Sequence, residues 1–323
     1  MNGKNTNSLM RYMRDIHSIE IQGSKHKREL LNMGYYHGFK GYRFIRSSQN
    51  RINYTHFDEV TAIYEFDMVL KTLFYPNLML LETALKNYTL EVVIESGSSD
   101  FEYVFTNLLN DYKKEAVGSG KYKKKMKYRL NLRDKIYNAI TYSYSDGRPV
   151  VQHYYHKNDQ VPLWAIFEVI SLGNFGSFVQ CLNYDTRVMV TEKLGIHTSS
   201  HNHNGRMLET IIFLLKDIRN AVAHNAVVFD CRFKGSESSA DLKAFLQAET
   251  RIRNITFDSI VDYLILIIYL RKKIGTSKTE LRKVIKSFAQ ETENLIRVSS
   301  PEVHTSILGT DSRNKINGLM TYV

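Results

Sequence analysis

The residues of this chain best suited to chemistry by type and spacing are Arg219, Asn220 and His224, in the run Arg-Asn-Ala-Val-Ala-His. A guanidinium grips phosphate oxygens through paired hydrogen bonds, an imidazole moves protons near neutral pH, and an amide orients either partner. Phosphodiester chemistry can use such a set. The run lies in LETIIFLLKDIRNAVAHNAVVFD, Leu208 to Asp230, which reads as one amphipathic helix. Taking Ile218 as reference and roughly 100° per residue, Ile211, Leu214, Leu215, Ala221 and Val222 form one apolar stripe. Asp217, Asn220 and His224 cluster on the far side, with Arg219 at the edge. Asn220 and His224 are helical neighbours, with Cβ atoms about 5–6 Å apart. Arg219 and His224 diverge by roughly 140° on an ideal helix. Their convergence needs a helix distortion, the reach of the arginine, or a second copy facing the first across a two-fold axis.

By itself the Arg-x4-His pattern is weak. The chain has 19 arginines and 11 histidines, and about 0.6 matches would arise by chance; three occur. Arg51–His56 lies in a polar stretch before a helix, and Arg148–His153 carries Pro149, which obstructs a helix interior. Only Arg219–His224 sits in a strongly periodic segment. On spacing alone an ordinary structural alternative stays open: a salt-bridged Arg219, a capping Asn220 and a packed His224. Asp217 could hold the imidazole, though a solvated position is the favoured expectation.

The elements that must position these residues are expected to be helices. The 323 residues include only four prolines, few strand–turn alternations are visible, and 43% hydrophobic with 24% charged content is ordinary for a soluble globular chain. A net charge of +11 favours a polyanionic partner, nucleic acid or an anionic membrane surface. Cys181 and Cys231 are the only cysteines, which argues against a disulfide framework, excludes a cysteine-based zinc site and fits a reducing cytosol. The N-terminus is polar and shows no secretory h-region, so no leader is expected. The most apolar run, Ile260 to Leu270, is about half the ~20 residues a bilayer requires and contains Asp262, so it reads as a core helix. A cytoplasmic location without membrane contact is expected.

In chain order, residues 1–27 read as an arm, helical near Met10 to Ile21. A helix ending at Gly34 leads to a turn carrying Tyr35, Tyr36, Phe39 and Tyr42 into the core. A helix from about Phe57 to Phe74 is expected to break at Pro76, with another from Asn77 to Ser96. Residues 113–133 read as a flexible basic loop, with Lys121, Lys123, Lys124, Lys125, Lys127 and Arg129 as candidate RNA contacts; a solvated linker is the alternative. Residues 161–182 read as one helix, loosened at Gly173 and Gly176, with Trp164, Phe167 and Ile170 on its apolar side. His197, His201 and His203 lie in a loop without a nearby acid, which argues against a metal site. The motif helix spans about 206–229, further helices fill 236–300 with a break near Asn254, and 301–323 is expected to be a weakly ordered tail.

The segment RNAVAH resembles the Arg-polar-x3-His signature of HEPN domains, all-α modules that often act as metal-independent endoribonucleases. Three further blocks are similar to those of the Abi-like abortive-infection family, the AbiD/AbiF group. They are LLNMGYYHGFKGYRF (30–44), VTAIYEFDMVLKTLFYPNLMLLETALK (60–86) and PLWAIFEVISLGNFGS (162–177). Within them Tyr64, Phe66, Asp67, Leu70 and Glu82, and then Leu163, Trp164, Glu168, Ser171 and Gly173, carry the likeness. The four blocks keep their order over about 28–230. Where family members often carry arginine, this chain has Met68, Lys71 and Lys86; the basic insert and the part beyond 235 lie outside the clearest likeness.

The resemblance implies an all-α HEPN-type bundle with additional N- and C-terminal helices, acting in anti-phage defence as a homodimeric endoribonuclease without metal or other cofactor. Arg219, Asn220 and His224 would be its catalytic residues, cleaving RNA by attack of the 2′-hydroxyl. A non-catalytic RNA-binding module, or a toxin held by a noncoding RNA or a partner protein, is the alternative.

Overall fold

The computed structural model describes residues 4–323, and the described chain is all-α, as the sequence implies. Its helices begin with α1 (Thr6–His17), α2 (Gly23–Met33), α3 (Phe57–Glu95), α4 (Phe101–Asn107) and α5 (Gly120–Ser145). Next come α6 (Pro149–His156), α7 (Leu163–Val169), α8 (Leu172–Cys181), α9 (Tyr184–Lys193) and α10 (Met207–Ala223). The last are α11 (Ala240–Thr250), α12 (Ile260–Lys273), α13 (Lys278–Val298), α14 (Pro301–Leu308) and α15 (Ser312–Tyr322). The chain forms two compact units, one of residues up to 78, 218–235 and 246–323, the other of 79–217 and 236–245. No helix among the described residues is long and apolar enough to cross a membrane.

The first unit is built around α12. Every residue from Ile260 to Leu270 is buried, as a core helix requires. Asp262 lies inside this run, and its carboxylate is satisfied by the Thr256 and Phe257 N–H groups and by Lys315 Nζ at 2.8 Å. A buried charge needs such a partner. Lys315 belongs to α15, so the expected loose tail is instead two helices, with Ile307, Leu308, Ile316 and Leu319 buried. The expected N-terminal arm is likewise α1 and α2, in contact with each other and burying Met10, Met13, Leu30 and Met33. After Gly34 the chain forms a π-helical segment, Gly34–Lys40, rather than a simple turn; Phe39 and Tyr42 are buried and Tyr36 is exposed.

Pro76 does not end a helix, because α3 runs through it. Beside it the Asn77 side-chain amide donates to the Leu73 carbonyl and accepts from Arg271. Phe74 packs on Phe288, with ring centroids 6.2 Å apart. Packing of this apolar helix outweighs the proline penalty of about 3 kcal/mol.

In the second unit the expected basic loop is helical. A short 3-10 turn covers Asp111–Lys114, then Ser119 caps Tyr122 N–H and α5 runs for 26 residues. Lysine and arginine are good helix formers, and Ser119 of the Gly-Ser-Gly sequence supplies the cap. Helix α5 packs on α8. The single helix expected over 161–182 is two, α7 and α8, separated at Ile170 and Ser171. Ser171 takes an extended backbone and caps Asn174 N–H, so the break lies at the cap and not at the glycines. Gly176 instead allows close approach, since a Cβ there would lie 3.0–3.1 Å from Phe213 and Ile212 of α10. Trp164, expected in the core, is 43% exposed and rests edge-on against Tyr154.

Candidate active site

The apolar stripe of α10 is as its sequence implies: Ile211, Leu214, Leu215, Ile218, Ala221 and Val222 are all buried. Burial of each large aliphatic side chain contributes about 1.5–3 kcal/mol. The helix, however, ends at Ala223 and does not continue to about 229. Asn225 has φ +53°, its N–H bonds the Val222 carbonyl at 3.3 Å, and Ala226 N–H bonds the Ala221 carbonyl at 2.8 Å. This pair of bonds is the Schellman stop, with His224 as C-cap and Asn225 in the left-handed position that asparagine tolerates. The apolar residues beyond it, Val228 and Phe229, are buried in a non-helical segment.

The stop turns His224 outward. His224 and Asn225 are exposed, and Arg219 and Asn220 are half-buried one turn earlier. Arg219 Nη1 donates to Asn220 Oδ1 at 3.3 Å, so the amide engages the guanidinium. Asp217, expected to be solvated, is only 8% exposed; it accepts Ser236 N–H at 2.6 Å and pairs with Lys216 at 2.8 Å.

What fixes the turn is a buried carboxylate on α3. Asp67 Oδ1 accepts the N–H groups of Val228 and Phe229 at 2.8 and 2.7 Å, and Oδ2 accepts the Tyr42 hydroxyl at 2.7 Å. Lys71, one turn along α3, pairs with Asp67 at 2.8 Å and donates to Asn225 Oδ1 at 2.8 Å. The Asn225 amide in turn meets His37 Nε2 at 3.2 Å. Tyr42 stacks on Phe229, and burial with the adjacent Asp67 charge pushes its hydroxyl pKa well up, keeping it a neutral donor. Thus Asp67 and Lys71 hold the backbone on which His224 sits. The Tyr64-x-Phe66-Asp67-x-x-Leu70 block supplies this clamp. Spacing alone missed Lys71, Asn225 and His37 as neighbours of the motif, although an asparagine just after an amphipathic run is a readable stop signal.

In the second unit, Lys86 Nζ reaches both Glu82 at 3.1 Å and the Ile170 carbonyl at 2.9 Å. Those two blocks of the resemblance therefore meet at the α7–α8 break. Of the basic candidates on α5, Lys121, Lys123, Lys124 and Lys127 are exposed. Lys125 is committed to Asp111 and Glu115, at 2.8 and 2.7 Å. Arg129 donates to the Leu109 and Phe105 carbonyls and lies over the Phe105 ring. These two hold α5 in place, whereas the other four lysines face solvent. Among the described residues one group of metal-capable side chains, His26, Glu29 and Asp58, lies close together; Lys25 pairs with both acids and already supplies a cation.

Residues 28–230, which include the clamp, the α7–α8 break and the motif turn, match the model of the family described as Abi-like protein. The chain belongs to the Abi-like family. Membership points to abortive-infection defence. Neither the curated proteins nor the solved structures give a match. The matched region ends at Asp230, directly after the segment that Asp67 clamps.

Proposed function

We propose that this Abi-like protein is a metal-independent endoribonuclease of the HEPN type, within the AbiD/AbiF group, with Arg219, Asn220 and His224 at its catalytic site. The observation that carries this is the position of His224: an exposed imidazole on a helix stop that a buried Asp67–Lys71 pair holds rigid, one turn from a guanidinium–amide pair. Neither a packed histidine nor a capping Asn220 describes this arrangement. In the reaction the ribose 2′-oxygen attacks its own phosphate as His224 takes the 2′ proton. The P–O5′ bond breaks and the leaving 5′-oxygen is protonated. Arg219 stabilises charge on the non-bridging oxygens, and Asn220 orients the guanidinium. A second copy across a two-fold axis brings Arg219 of one copy to His224 of the other, and water supplies the proton to the leaving oxygen. The exposed lysines of α5 add sequence-independent affinity for RNA.

Purified chain and its His224→Ala variant, incubated with total RNA in EDTA, test this. Cleavage by wild type only, leaving 2′,3′-cyclic phosphate and 5′-hydroxyl ends and stopped by 2′-deoxy substitution at the cut, is the expected result. Intact RNA in both samples with equal binding would instead assign a non-catalytic RNA-binding module.

A further inference from the structure

A second basic site lies in the first unit, on elements the ribonuclease proposal does not use. The end of α1, the residues after the π-helical segment and the 51–55 segment enclose a pocket of about 380 Å³. Its frame is tied by backbone bonds. Ile52 N–H reaches the Arg43 carbonyl, Glu20 N–H reaches the Thr55 carbonyl, and Ser18 N–H closes the end of α1 on the Arg14 carbonyl. His17, Arg43, Arg51 and Asn53 supply its polar lining, and Ile16, Ile19 and Phe39 its apolar wall.

The charges in this pocket are unbalanced. Among the described residues no hydrogen bond or ion pair engages the guanidinium of Arg43 or Arg51, and Arg51 is exposed. His17 Nε2 is buried without a hydrogen-bond partner. Burial, followed by the positive charges of Arg43, Arg51 and Lys40, lowers the His17 pKa, and no carboxylate is among the charges that act on it. Tyr12 and Phe39 pack against the imidazole. Two guanidinium groups and an imidazole lining one open volume match a tetrahedral oxyanion, whose several oxygens can each take a bond; the size falls in the usual range for small-ligand sites, about 300–1,000 Å³.

We propose that this pocket binds a phosphate ester, with Arg43, Arg51 and His17 on the phosphate oxygens and the Ile16, Ile19 and Phe39 wall against its organic part. The ester comes either as a free mononucleotide-like ligand or as a phosphate of bound RNA. Titration calorimetry on the full chain in the His224→Ala background, where no RNA is cut, separates these. The probes are AMP, adenosine and an unphosphorylated oligoadenosine pentamer at fixed salt. For a free ester, AMP binds, adenosine does not, and Arg51→Gln weakens AMP at least tenfold with unchanged thermal stability. For an RNA phosphate, the pentamer shows that loss and AMP does not bind. Equal affinities of parent and Arg51→Gln for both anionic probes, or no binding of either to the parent, would overturn the proposal.

Discussion

The carboxylate of Asp67 accepts three hydrogen bonds and faces one ammonium while fully buried. Such a group is not replaced cheaply, because Asp67→Asn leaves Lys71 charged and buried and sets an amide donor against the Lys71 ammonium and the Tyr42 hydroxyl. Removing one partner of a buried pair costs about 3–5 kcal/mol. Urea unfolding of Asp67→Asn should show a loss of that order, and any folded fraction should have a displaced His224 turn and reduced cleavage. His224 itself presents the opposite case. It is exposed, so His224→Ala should change stability by no more than about 0.5 kcal/mol while removing cleavage. A stability loss as large as that of Asp67→Asn would show that the imidazole is structural. At this scale the sequence exposes residue types and spacings, but not which carboxylate is satisfied. Asp217 and Asp67 look alike on paper, and one binds Ser236 beside the motif while the other clamps the turn.

At the scale of elements, the helix class and most positions are readable from periodicity, since the apolar stripe of α10 and the all-apolar α12 are packed as their spacing implies. The errors fall where a local rule met a stronger term. Pro76 sits in a helix whose apolar neighbours hold it in place, and the Lys-rich segment is helical because it has a serine cap and a face that packs on α8. The α10 boundary followed the apolar pattern too far, since Val228 and Phe229 are buried by the Asp67 clamp and not by helix. The left-handed Asn225 makes this testable. Asn225→Gly keeps the left-handed stop but loses the Lys71 and His37 contacts and should cost about 1.5–3 kcal/mol; Asn225→Val loses the same contacts, is β-branched at positive φ, and should cost about 1–2 kcal/mol more by thermal unfolding. Helix α5 is anchored by a different group. Burial alone would raise the Asp111 pKa, but Lys125, Arg206 and Arg187 outweigh it and hold the carboxyl below its usual value. A depressed carboxylate contributes stability that is present above its unfolded pKa of about 3.9 and lost as pH falls through the lower folded value. The stability advantage of wild type over Asp111→Asn should therefore be complete at pH 6 and shrink below about pH 4, followed by urea unfolding across that range.

For the whole molecule the open arithmetic of the motif becomes a question of copies. Arg219 is on α10 and His224 is its C-cap, so a single chain presents them at different angles around one helix axis. If each cleavage site takes Arg219 from one protomer and His224 from its partner, Arg219→Ala and His224→Ala chains each fail alone but can complement. Random pairing of the two inactive chains makes half the dimers mixed, and each mixed dimer has one intact site and one site lacking both groups. Co-expressed in equal amounts and purified through tags on both chains, the mixed dimers should recover about half the activity of a wild-type dimer, and the unselected mixture about a quarter. Recovery below one per cent in a dimer verified by mass would place both groups in one protomer, with the long arginine side chain spanning the gap. The test also reaches the charge of the chain, because a shared site doubles the set of exposed α5 lysines in each complex. In that case the log–log salt dependence of RNA affinity should be shallower by roughly 0.7 for each phosphate that Lys123→Gln leaves without its ammonium, and a dimer missing the same lysine on both protomers along one RNA should be shallower by about 1.4.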